Sequence, residues 1–163
     1  MKGSLEKFNK LVDALQELPT IGKKSATRLA YHMLMRDSFA GMKISHAIEE
    51  ALGTLKVCRS CGGMSEDELC FVCCDESRDK TLLCIVENAK DILILEENAL
   101  FEGRYFVLDS LQELDLLNLE NLVKSGVKEI IFALTPSIAN DAVMLYIEDK
   151  LSNFNINYSK IAQ

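Results

Sequence analysis

Tryptophan is absent from the 163 residues, and there are only two prolines and two histidines. So few prolines argue against disordered linkers between folded parts. His32 and His46 stand isolated on helical patterns and read as packing or surface residues rather than ligands. No apolar run approaches the roughly 20 residues of a membrane-spanning helix. The N-terminal MKGSLEKF lacks the apolar region of a secretory signal. No membrane role is expected, and the expected compartment is cytoplasmic. What is present is the hydrophobic (48%) and charged (26%) content of a globular protein, at a length that suits one substantial core or small modules in series.

The formal net charge of −7 is unevenly spread. Residues 1–60 carry ten Lys and Arg against six Asp and Glu, a balance of +4, whereas residues 61–163 carry eight against nineteen, a balance of −11. The first part can approach phosphate and the second repels it.

Five of the six cysteines fall in CRSCGGMSEDELCFVCC, Cys58 to Cys74. Disulfides seldom persist in the cytosol, and C-x2-C pairs separated by a short reversal suit tetrahedral thiolate binding of zinc. Cys58, Cys61, Cys70 and Cys73 are the expected ligands, with GGMSEDEL reversing the chain between the pairs. A redox pair or four unliganded thiols are the alternatives. Cys74 adjoins a ligand but breaks the spacing, and Cys84 in LLCIV reads as core. Four protein ligands leave no open position for a reacting water, so the expected zinc is structural, one per chain.

Leu5, Phe8, Leu11, Val12, Leu15 and Leu18 recur at helical spacing before Pro19, and Ala26, Leu29, Ala30, Met33 and Leu34 give a second helix. The tight turn Thr20-Ile21-Gly22 between them completes a helix-hairpin-helix pattern. In such a hairpin the turn amides and the second helix's N-terminus face a backbone phosphate. Lys23, Lys24 and Arg28 add charge, and Lys24 and Arg28 share a helix face. A glycine usually stands where this chain has Thr20, a residue poorly suited to a left-handed backbone. The competing reading is a helix pair with a solvated basic face. A third helix is expected from about Met42 to Lys56.

Beyond the cysteines, Leu82–Val86 is a short apolar run ended by Glu87. A helix around Ala89–Leu95, strands at Tyr105–Leu108, Glu129–Leu134 and Ile156–Ile161, and helices around Leu114–Lys124 and Ile138–Leu151 follow. Strands alternating with helices, without hairpin signals, indicate an α/β layer with a largely parallel sheet. Ligands of such sheets gather at the carboxyl ends of strands, where Glu87, Asp91 and Asp141 fall.

The order of LPTIGKKSATRLAYHM, C-x2-C-x8-C-x2-C, LCIVENAKDILILEE and IIFALTPSIANDAVMLYIEDKL resembles the bacterial RecR recombination mediator family over nearly the whole chain. The resemblance implies a multi-module α+β and α/β fold: a helix-hairpin-helix domain over 1–56, a four-cysteine zinc finger over 57–77 and a Toprim domain over 78–163. It also implies sequence-independent DNA binding, assembly into a dimer or tetrameric ring, and action with RecO and RecF to place RecA on single-stranded gaps. By matching residue, DNA contact falls on Lys24 and Arg28, zinc on Cys58, Cys61, Cys70 and Cys73, and the leading Toprim acidic residue on Glu87, with Asp91 as its companion. Toprim enzymes pair this Glu with a downstream Asp-x-Asp to hold Mg²⁺. The corresponding ALTPSIAND has none, and Asp141 is the nearest carboxylate, so at most weak magnesium or partner contact is expected and no catalysis. The chain ends at SKIAQ, where the family continues into a Gly- and Pro-containing loop and a terminal segment used in assembly. A Toprim-type Mg-dependent nuclease or topoisomerase-like enzyme and a zinc-ordered protein-interaction scaffold are the competing functions.

Overall fold

Apolar residues at helical spacing form α1 (Glu6–Gln16), which stops short of Pro19. A turn in which the Ile21 N–H donates to the Leu18 carbonyl leads to α2 (Lys23–Tyr31). Val12, Ala26 and Ala30 are buried between the two helices, flanked by Phe8, Leu11, Leu15 and Ile21. Alanine on α2 lets the backbones approach closely. The computed structural model describes residues 4–109 and 116–161, which fall into two compact units, Met1–Thr54 and Leu55–Gln163.

The second helix does not continue regularly through Met33 and Leu34 as its periodicity predicts. His32–Arg36 forms a π-helical turn, closed by the Asp37 N–H on the His32 carbonyl at 2.8 Å. The third helix, α3 (Ser38–Thr54), begins four residues before the expected Met42. The reason is Asp37, whose carboxylate accepts the Ala40 N–H at 2.9 Å and caps the helix there. No residue of α3 is buried within its own unit.

In the second unit, β1 (Lys56–Val57) and β2 (Met64–Ser65) pair antiparallel, Lys56 opposite Ser65. The chain therefore reverses within Cys58–Gly63, at the first cysteine pair itself. GGMSEDEL supplies the return strand, so the expected placement of the reversal is corrected. The short α4 (Phe71–Cys74) carries Cys73, with Cys70 at the cap position before it. Then follow β3 (Leu82–Val86), α5 (Ala89–Glu97), β4 (Arg104–Val107), α6 (Leu116–Lys124), β5 (Glu129–Ala133), α7 (Ile138–Lys150) and β6 (Asn157–Lys160). The expected strand and helix pattern holds to within a residue or two at each end; the part of the Leu114–Lys124 helix before Leu116 lies outside the described residues.

These four longer strands form one parallel sheet in the order β4-β3-β5-β6. β3 lies between the strand that follows it and the one after that, so the connections leave it to opposite sides and a crevice opens at its carboxyl end. Its unbroken apolar run is explained by cover on both faces. Leu83 and Ile85 point into a core with Leu119, Leu122 and Val123 of α6 and Val143, Met144 and Ile147 of α7. Cys84 and Val86 point the other way, against Ile92 of α5 and against Cys58, Cys61, Cys70 and Val72. The cysteine module is thus one of the layers that cover the sheet.

Candidate metal centre, acidic crevice and basic hairpin

The sulfur atoms of Cys58, Cys61, Cys70 and Cys73 all lie within 4.8 Å of one another, and the first three residues are buried. This is the one cluster of three or more potential metal ligands among the described residues. Cys61 and Cys70 Sγ are 3.5 Å apart, close to the roughly 3.8 Å that tetrahedral coordination at about 2.3 Å requires. Backbone amides face the sulfurs: Gly63 N–H donates to Cys61 Sγ and Cys70 N–H to Cys58 Sγ, both at 3.3 Å. Such donors favour thiolate over thiol. Hydrogen bonds from Cys61 and Cys73 hold the Cys70 thiol far below the ordinary thiol range, and the same contact with Cys70 pushes Cys61 up. Cys70 ionises readily while Cys61 and Cys73 are pushed toward the protonated form, a conflict that a central cation removes. The donor set therefore fits one metal ion with a closed shell.

The cage is built into the sheet. The Val107 N–H of β4 donates to the Cys61 carbonyl at 2.7 Å. Gly62, at φ +79°, would bring a Cβ to 3.2 Å from Val107, and a Cβ on Gly63 would sit 3.0 Å from Ile92 Cδ1. The positive φ of Gly62 calls for glycine, and a side chain at Gly63 would press on Ile92 and on Cys61 Sγ. Asn118 on α6 donates its side-chain amide to the carbonyls of Arg59 at 2.9 Å and Ser60 at 2.6 Å. Below the second pair, Arg78 Nη1 donates to Glu96 Oε1 and the Phe101 carbonyl, each at 3.0 Å. Cys74 is exposed and outside the cluster, and Cys84 is buried in the sheet, where burial raises its thiol to about 12.

Glu87 follows β3 at the crevice, as expected. Its Oε1 accepts the Thr135 N–H at 2.5 Å and the Asn140 side-chain amide at 2.6 Å. The Thr135 backbone, with Asn140 behind it, holds the carboxyl below its usual range. Asp91 accepts the Asn88 N–H at 3.0 Å and so caps the start of α5. Asp141 pairs with Lys160 at 3.2 Å on the surface. Glu87 and Asp91 line one crevice of about 380 Å³, whereas Asp141 lines another with Lys160 and Tyr158. The three carboxylates expected at the Toprim position do not converge on a point.

In the first unit Lys23, Lys24 and Arg28 are all exposed on α2. Gly22 occupies the cap position, where no side chain among the described residues caps the first-turn amides. Thr20 does adopt the left-handed backbone, at φ 69°. Sequence reasoning passed over Arg78, Glu96, Asn118 and Asn140. Each is an ordinary polar residue whose partner lies far along the chain, and no local pattern marks it.

Residues 8–52 match the family description "RecR, helix-hairpin-helix" and residues 81–162 match "Toprim domain". The chain is 54% identical over 164 residues to a protein of a Nitratiruptor species named "Recombination protein RecR", covering all of this chain and 86% of that one. Proteins of the same name from Campylobacter jejuni subsp. doylei and Helicobacter pylori are 52% and 49% identical, over 100% and 99% of this chain and 86% and 84% of theirs. No helix among the described residues is long and apolar enough to cross a membrane. With a hairpin pair, a four-cysteine cage and a parallel Toprim sheet in that order, the chain belongs to the RecR family of recombination proteins.

Proposed function

We propose that the protein is a non-enzymatic, DNA-binding recombination mediator that works as a homo-oligomer, with RecO and RecF as partners and RecA loading at single-stranded gaps as the outcome. The observation that carries DNA binding is the exposed Lys24–Arg28 face beside uncapped helix amides. Lys23 adds a third cation at the helix start. Such a site takes a backbone phosphate without reading bases. The cage holds zinc in a structural role: the ligands are all sulfur, and the shell is full. The absence of catalysis is supported by the engagement of Glu87 with Thr135 and Asn140 and by the placement of Asp141 in a different crevice from Glu87 and Asp91.

Oligomerisation is supported by α3. Phe39 and Leu52 are 75% and 80% exposed, and Met42 and Ile48 line an apolar groove of about 750 Å³ with Leu11 and Leu15. An apolar face of this extent marks an interface. Repetition of a weak phosphate contact around an oligomer raises affinity without new contacts.

The test is a salt-dependent DNA titration of the wild type against Lys24→Glu, with oligomeric mass followed in parallel. Phosphate contacts give log affinity a slope against log salt. The mutant should bind more weakly on unrelated sequences alike, with a shallower slope. Unchanged affinity and slope in a mutant that folds and assembles would remove the hairpin from DNA binding and leave the scaffold reading in front.

A further inference from the structure

The exposed face of α2 does not end with its cations. At about 100° per residue, Lys24, Arg28 and Tyr31 fall within an arc of roughly 60°, opposite the buried Ala26 and Ala30. Tyr31 is 47% exposed, on the face turned away from the packing of Ala26 and Ala30 against α1. The Arg36 guanidinium sits over the ring, 5.7 Å from its centroid. In a regular helix a residue five positions on points about 140° away. Here the π-helical turn His32–Arg36 intervenes, with its i→i+5 hydrogen bond, and its wider winding turns Arg36 back toward the side of the helix that carries Tyr31. The irregularity thus places a cation on one face of an exposed aromatic ring. π-helical turns of this kind occur frequently at functional sites.

We propose that Tyr31, backed by Arg36, is a base-stacking platform that makes the hairpin prefer single-stranded nucleic acid over duplex. This rests on the phosphate-binding reading of the same hairpin and deepens it. Lys24 and Tyr31 are seven residues apart, about 10 Å along the helix, a span of about three nucleotides at the roughly 3.4 Å spacing of stacked bases along one strand. Lys24 and Arg28 hold the backbone at one end, and an unpaired base lies on the ring at the other. A duplex keeps its base faces covered and has nothing to offer the ring. Arg36 on one face strengthens stacking on the other through its charge and stiffens the ring in place. Stacking of this kind tolerates any base, in keeping with sequence-independent contact.

The experiment is a set of anisotropy titrations of the full chain with a fluorescein-labelled thymidine oligonucleotide and with a blunt duplex of equal length, at two salt concentrations. Tyr31→Ala should weaken single-strand binding from roughly fivefold to roughly a hundredfold and leave duplex binding unchanged. Its salt slope should stay that of the wild type, because no cation is lost. Tyr31→Phe should bind like the wild type. Tyr31→Leu, which keeps an apolar side chain without a π face, should behave like the alanine variant and decides the matter if alanine disturbs folding or oligomeric mass. Arg36→Gln should weaken single-strand binding more than duplex binding. Wild-type affinity in Tyr31→Leu, or an equal loss on both nucleic acids, would overturn the platform. The Lys24→Glu arm separates the two readings. If it loses both substrates while Tyr31→Leu loses neither, the hairpin stands and the platform falls. If it loses neither, the hairpin reading falls as well.

Discussion

The guanidinium of Arg78 and the carboxylate of Glu96 form a two-pronged ion pair whose side chains are only 13% and 16% exposed. The Tyr105 hydroxyl donates to the same carboxylate at 2.6 Å, and Arg78 also reaches the carbonyls of Phe101 and Gly103. Arg78 lies four residues beyond the last cysteine of the cluster segment, Glu96 on α5, Tyr105 on β4. One network therefore ties the exit of the cysteine module to two elements of the sheet domain.

Removing one half of that pair leaves the other charge buried without its partner. Glu96→Gln should destabilise the Leu55–Gln163 unit by on the order of 3 kcal/mol, measured by urea unfolding of metal-loaded protein. The pH dependence has a definite sign. The Arg78 hydrogen bond holds Glu96 below its ordinary 4.5 in the folded chain. Its contribution is therefore fully present above that value and is lost as pH falls through the lower folded value. The difference in stability between wild type and Glu96→Gln should be constant from neutrality to about pH 5 and shrink on further acidification. A difference that does not depend on pH would show that Glu96 contributes by packing alone.

Cys61→Ser removes one of four sulfurs and should abolish stoichiometric zinc, whereas Cys74→Ser should retain one zinc per chain. Atomic emission of freshly purified, reduced protein reads both. Because the ligands bind as thiolates, chelator-driven release should accelerate as pH falls. Loss of metal should also deprotect the amide of Val107, which donates to the Cys61 carbonyl, in hydrogen exchange. A cage that is only a detachable finger would leave Val107 protected. Cys84 is the internal control: its thiol lies in the sheet at about 12 and stays unreactive in holo and apo protein alike.

That coupling is where legibility in the sequence ran out. The cage ligands were legible because C-x2-C spacing is local chemistry, and the sheet because Leu82–Val86 and Glu129–Ala133 are apolar runs between helical periods. The docking of the cage was not. Val107, Asn118 and Ile92 meet the cysteines across tens of residues, and Gly62-Gly63 reads locally as a mere turn. Arg78 stands in ESRDK, where a buried cation looks like its solvated neighbours. The π-helical turn was equally silent, since HMLMR suits a regular helix and the extra residue per turn leaves no compositional trace. Asp91 shows the opposite case. Its position was legible, but the same spacing that suggests a metal companion to Glu87 also makes a helix cap.

Magnesium-dependent cleavage or joining of DNA should be absent from the wild type and from Glu87→Ala alike. Two donors converge on one oxygen of Glu87, and Glu87 belongs to no cluster of three or more potential metal ligands among the described residues. What Glu87→Ala should change is the loop it restrains: the Thr135 amide loses its acceptor and should exchange faster. Gel assays with Mg²⁺ and hydrogen exchange on the same two proteins read both outcomes. Turnover that disappears with Glu87 would promote the enzyme reading over the mediator.

Thr20 and Gly22 occupy opposite situations in the same hairpin turn. Thr20 is a β-branched residue at φ 69°, where an L side chain costs about 1–2 kcal/mol. Gly22 has an ordinary φ of −84°, and a Cβ there would meet nothing within 4 Å. Thr20→Gly should relieve the strain but add freedom to the unfolded chain, which offsets about 0.4–1 kcal/mol. The net is a stabilisation of roughly 0.5–1 kcal/mol for the helical unit. Gly22→Ala should not clash. It reduces unfolded-state freedom, which offsets the poorer capping of alanine at this position, and the net is expected to be near neutral. Thr20→Ala should fall between wild type and Thr20→Gly, since it removes the branch but keeps the Cβ. Exchange of the buried Val12, Ala26 and Ala30 amides reports on this unit separately from the sheet. Slower exchange in Thr20→Gly, with the sheet amides unchanged, is the expected outcome. Faster exchange would mean that the Thr20 side chain contributes a contact worth more than the backbone strain it imposes.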